Sequence, residues 1–196
     1  MFKQIEKMGT TPIKAPAKEK SGNSKADTRK LLERKWEELK NFKGELQYGP
    51  IGKDPDNHLT AIGPSIVKTI VDICELAFNL FCWEYASPEG TEKFPSLKDL
   101  GNLNKECVVP VPVVARTAAK GLLDMKEICF KKTFFDHRLI IDVAELAMSF
   151  LDYLGDWGRS SRDEIHFTKG KVEDIYNLLD CYLEKLEVYK RKEQEL

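Results

Sequence analysis

The chain has 196 residues, with 31 Lys+Arg against 32 Asp+Glu, 42% apolar residues and 32% charged ones. That length supports one ordinary domain with a sizeable core. A formal net charge of −1 excludes a uniformly basic nucleic-acid binder, and the apolar fraction excludes global disorder, so any charge-driven function has to be local.

Residues 1–26 contain Pro12, Pro16, Gly9 and Gly22, with six lysines against only Glu6 and Glu19, and read as a flexible basic arm. Its first ten residues carry Lys3, Glu6 and Lys7 and no apolar run, which argues against a secretory signal and for a cytosolic setting. Residues 27–196 read as the helical domain. Asp27 suits the N-cap of a helix reaching to about Phe42, with Leu32, Trp36 and Leu39 forming one apolar stripe and Gly44 stopping it. Residues 43–63, rich in Gly and Pro, read as a long loop.

Pro64 suits the first turn of a second helix running to about Tyr85. Its polar residues Lys68, Asp72, Glu75 and Asn79 fall in a single narrow stripe, so most of its circumference has to be covered by other helices. Those same charges make it a core helix rather than a membrane span. Ser96 is placed to cap a short helix carrying Leu97, Leu100 and Leu103. Residues 107–114 read Cys-Val-Val-Pro-Val-Pro-Val-Val, and the two prolines make this an extended apolar connector rather than a sheet strand.

A helix over residues 113–132 follows, then one over 137–154 capped by Asp136 and ended by Gly155. After a turn-rich stretch, 155–171, the last helix carries Val172, Ile175, Leu179, Tyr182, Leu186 and Tyr189 at alternating spacings of three and four. This is a coiled-coil-like seam, suited either to self-association or to docking on the chain's own domain. Ile70, Asp72, Glu75, Leu76 and Ala77 recur as Ile140, Asp142, Glu145, Leu146 and Ala147, which raises an internal duplication of 64–104 and 134–180. Duplication would pack the helices at 64–85 and 137–154 together.

No phosphate-cradling glycine loop, zinc-protease helix or serine-hydrolase elbow is present. Cys74, Cys82, Cys107, Cys129 and Cys181 are odd in number, widely spaced and without a Cys-x-x-Cys pair, so they read as reduced thiols. His58, His137 and His166 stand near no two of them, and neither a metal nor a cofactor is expected. Asp54, Asp56 and Asn57 lack the glycine and the glutamate of a calcium loop.

Charge placement remains. Arg116, Lys120, Lys131, Lys132 and Arg138, with Lys126, form one basic cluster, and Arg159, Arg162, Lys169 and Lys171, with His166, a second. If they share one face they make a phosphate-binding surface for single-stranded nucleic acid, with Tyr48, Trp157 or Phe167 available for stacking. The expected fold is therefore all-α: an antiparallel, bundle-like domain of five to six helices behind a basic arm. The expected function is that of a non-enzymatic assembly or adaptor protein, using the arm, the connector and the C-terminal seam to bind itself or other proteins and no membrane. The alternative is a nucleic-acid-packaging subunit like a viral coat or nucleocapsid protein, which rests on architecture alone.

Overall fold

The protein is all-α in a computed structural model that describes residues 24–49, 55–85, 97–101, 113–131, 135–157 and 162–195. Six helices follow in order: α1 (Lys25–Tyr48), α2 (Pro55–Tyr85), α3 (Leu97–Gly101), α4 (Val113–Lys131), α5 (Arg138–Trp157) and α6 (Arg162–Gln194). The arm as far as residue 23, Ser96, Leu103 and residues 107–112 of the connector lie outside the described residues.

α1 starts three residues before the position the sequence suggests. Ser24 is its N-cap, and Asp27 is the other half of a capping box. The Asp27 amide donates to Ser24 Oγ at 3.2 Å, while Asp27 Oδ2 accepts from the Ser24 hydroxyl at 2.7 Å and its amide at 3.3 Å. Gly44 does not stop the helix. A lone glycine costs only about 1 kcal/mol in a helix, and burial of Trp36, Leu39 and Leu46 on either side of it outweighs that loss. The helix ends instead at Gly49, extended, whose amide donates to Glu45 O at 2.8 Å.

The expected loop at 43–63 shrinks from both ends because α2 starts at Pro55, a residue suited to a first helical position, and runs through Pro64. Pro64 has no N–H to give to the carbonyl four residues back, a defect placed beside Gly63. Gly63 has a packing role: a Cβ there would lie 2.3–2.9 Å from three atoms of the Phe135 ring. Phe135 is buried in that notch, just ahead of α5.

α2 packs against every other helix. Its Ile66, Val67, Ile70, Val71, Ile73, Cys74, Ala77, Phe78 and Leu80 are all buried, and Phe78 meets Phe150 of α5 with ring centroids 6.2 Å apart. The packing of α2 on α5 is what a duplication requires, and any bundle of this kind provides it too. α1 and α6 run parallel: Lys171 lies near Glu37, and fourteen residues on, Lys185 Nζ donates to Gly49 O at 3.0 Å. α4 packs on α5, where a Cβ on Gly121 would sit 3.1 Å from Leu146 Cδ1, and its Ala115, Ala118 and Ala119 are buried.

α5 begins where Asp136 Oδ1 accepts from the Arg138 amide at 3.0 Å, as its capping role requires. It runs past Gly155 to Trp157, and helix replaces most of the turn-rich stretch because α6 begins at Arg162.

Two glycines give opposite expectations in urea denaturation. Gly63→Ala pushes a methyl into Phe135 and lowers stability by about 1–3 kcal/mol. Gly44→Ala, with open space around its Cβ, raises it by up to about 1 kcal/mol. The capping box also fixes a pH response. Hydrogen bonds from the Ser24 side chain and backbone hold Asp27 below its ordinary 3.8. Its contribution is complete above that value and is lost as pH falls through the lowered one. The melting-temperature gap between Ser24→Ala and the parent should therefore narrow as pH falls through that lowered value, where the carboxylate takes up its proton.

Candidate functional site

Asp72 is the charged centre of the helix bundle. It projects from α2 into the gap between α1 and α4, which do not touch each other directly. Lys35 of α1 reaches Asp72 Oδ2 at 3.3 Å, and Lys126 of α4 reaches Oδ1 at 3.4 Å. Lys35 also donates to Glu38 at 2.8 Å. Burial works against the Lys35 charge, yet its hydrogen bonds to Glu38 and Asp72 prevail and hold its pKa above the ordinary lysine value. The polar stripe of α2 thus clamps two helices that do not pack directly on each other among the described residues. Asp142 and Glu145, its sequence counterparts on α5, are exposed.

Beside the clamp a small cavity of about 270 Å³ is lined by Leu31, Lys35, Asp72, Glu75, Leu76 and Asn79. No group of three or more metal-ligating side chains occurs among the described residues. The thiols of Cys74, Cys129 and Cys181 are all pushed up by burial, which keeps them protonated and poor nucleophiles.

The C-terminal seam packs in cis. Ile175, Leu179, Tyr182 and Leu186 are buried in the chain's own core, and Val172 and Tyr189 pack partly buried against it. α6 lays this face on α1, α2 and α5. Tyr182 is wholly buried, and its hydroxyl shares a hydrogen bond with His137 Nδ1, tying α6 to the start of α5. Burial, and then the charge of Asp136, push the Tyr182 pKa up, so that hydroxyl keeps its proton. A self-association surface built on these six side chains would have to open the core.

The basic residues do not converge. Lys120 is exposed on the outer face of α4, whereas Lys131 pairs with Glu127 at 2.8 Å and Arg116 is half-buried with contacts of its own. Lys126 is held by Asp72. Arg138 is exposed at the start of α5, and Lys171 sits on α6, 3.9 Å from Asp174. α4 and α6 each pack on α2 and α5 but not on each other. Lys132 and Arg159, and the side chains of Arg162, Lys169, His166, Trp157 and Phe167, lie outside the described residues.

Large apolar side chains stand exposed at few places, among them Val113 and Val114 at the start of α4, 71% and 60% exposed, and Ile128 further along it at 40%. Spacing in the sequence sets Val114 on one face with Ala118, Leu122, Met125 and Cys129, yet the structure leaves Val114 exposed while Ala118, Leu122 and Cys129 are buried. Sequence reasoning missed Lys30 and Arg34 of α1 altogether, although their spacing of four already puts two cations on one face. No helix among the described residues is long and apolar enough to cross a membrane. No family model, no curated protein and no solved structure matches this chain.

The Asp72 clamp yields a double-mutant cycle. Lys35 and Asp72 are each about one-fifth exposed at the side chain, between the surface and buried limits for ion pairs. Asp72→Asn should lower unfolding free energy by about 1–2 kcal/mol, and the cycle with Lys126→Met should show coupling of about 0.5–1 kcal/mol. Additive effects in urea denaturation would remove the clamp from the account.

Proposed function

We propose that this chain is a non-enzymatic helical interaction module, which assembles with copies of itself or with partner proteins through the apolar edge where α4 begins. The observation that carries this reading is the pair Val113 and Val114. They close the apolar run 107–114, and both face outward on a helix whose inner face is already packed. Single exposed apolar residues are ordinary on a protein surface, but an adjacent pair at the end of an apolar run marks a place where burial is still to be gained. Burying two valine side chains in an interface contributes a few kcal/mol, enough to matter in an assembly contact.

The C-terminal seam leaves this reading as an interface, because the core already holds it. The basic arm stays in it as a second contact. Nucleic-acid packaging has less to draw on, since Lys131 is paired and the cations of α4 and Lys171 stand on helices that do not meet.

Light-scattering mass over a range of concentrations, with the absorbance ratio at 260 and 280 nm, tests the proposal. Val113→Lys with Val114→Lys should weaken self-association, or capture of a protein partner, at least about tenfold. Helicity and melting temperature should stay those of the parent, because both side chains are exposed. Undiminished association would remove α4 from the interface. Particles rich in nucleic acid that dissolve in high salt would favour packaging instead.

A further inference from the structure

A second surface feature lies away from α4 and is independent of the assembly reading. α1 and the parallel α6 border an open groove of about 820 Å³, within the size range of small-molecule sites, with Lys30, Arg34 and Trp36 of α1 and Lys171 of α6 in its lining. Trp36 has no exposed surface, and its indole Nε1 is buried without an acceptor among the described residues. A buried tryptophan N–H nearly always has a partner, so this donor stands out.

The charges around the groove are sorted unequally. Its three carboxylates are engaged by cations outside its lining: Glu33 by Arg29 at 3.9 Å, Glu37 by Lys40 at 2.9 Å and Glu38 by Lys35 at 2.8 Å. Lys30 and Arg34 are both exposed, and neither lies within ion-pair distance of a carboxylate among the described residues. Four residues apart on one helix, they repel each other. Lys30 also acts on the Asp27 carboxylate, but outside ion-pair distance, so the two cations still suit one phosphate monoester, about −1.5 to −2 at neutral pH, whose oxygens also accept from guanidinium and indole N–H groups.

From this juxtaposition we infer that the groove between α1 and α6 binds a small phosphate-bearing ligand, with Lys30 and Arg34 on its charge, Trp36 Nε1–H donating from the floor and Lys171 closing the far side. The exposed lysine and arginine side chains swing on flexible stems, so an oxyanion can displace them to reach the indole. Bringing the acceptor also satisfies the buried indole donor, which has no acceptor among the described residues.

The test is a titration of the full chain with inorganic pyrophosphate at constant ionic strength, followed by the indole 1H–15N cross-peaks of its three tryptophans. Trp36→Phe assigns the Trp36 signal. The expected result is a saturable downfield shift of that signal alone, absent with matched sodium chloride. Arg34→Gln, on the exposed rim, should weaken the response about tenfold or more and leave the fold intact even if Trp36→Phe does not fold. A Trp36 signal that stays in place, or moves equally with chloride, overturns the site. A shift produced by a single-stranded oligonucleotide but not by pyrophosphate overturns the small-ligand assignment in favour of a nucleic-acid backbone.

Discussion

The bundle is organised by the need to cover α2. Apolar side chains occupy most of that helix's circumference, and a helix apolar nearly all round has to be enclosed. α1, α6, α5 and α4 form an arc around it, and α3 adds a short patch against α2 and α4. Only the stripe carrying Asp72 is left toward the gap between α1 and α4. Two lysines from opposite banks meet its carboxylate there, so the one place where the arc fails to close apolar-on-apolar is closed by charge.

Much of the remaining surface follows from that arrangement. α6 is needed to finish the enclosure on the side of α1 and α5, which draws its regular apolar spacing inward. Among the described helices α4 packs on α2, α3 and α5, and Val113 and Val114 at one end of its outer face are exposed. The notch at Gly63 admits Phe135, and the part-buried hydrogen bond between His137 and Tyr182 fixes the next residues against α6. The start of α5 is therefore held from two sides.

The sequence was most legible where period and burial agree. The stripe of Leu32, Trp36 and Leu39, the encircled second helix, the Asp136 cap and the span of α4 all follow from spacing and capping chemistry. It was least legible where glycine and proline serve helices rather than loops. Pro55 opens α2, Gly63 makes room for a ring seventy-two residues away, and Gly44 and Gly155 are carried through by packing on either side. Local signals cannot show a contact that distant. The same holds for function. The alternation of threes and fours in α6 does not distinguish a neighbour in the same chain from one in another copy. The pairing of Asp72 with Lys35 and Lys126 needs three helices in place before it exists.

The claim on which the account rests is that the α6 seam is core. Leu179→Glu with Leu186→Glu places two carboxylates where the parent side chains are 7% and 8% exposed, and an unpaired buried charge is not tolerated in an apolar interior. Circular dichroism with urea denaturation is the most direct measurement. Loss of cooperative unfolding, or a fall in stability of several kcal/mol, is the expected result. A double variant that keeps the parent's helicity and unfolding midpoint while its oligomers dissociate into monomers would contradict it, and would return the seam to the surface.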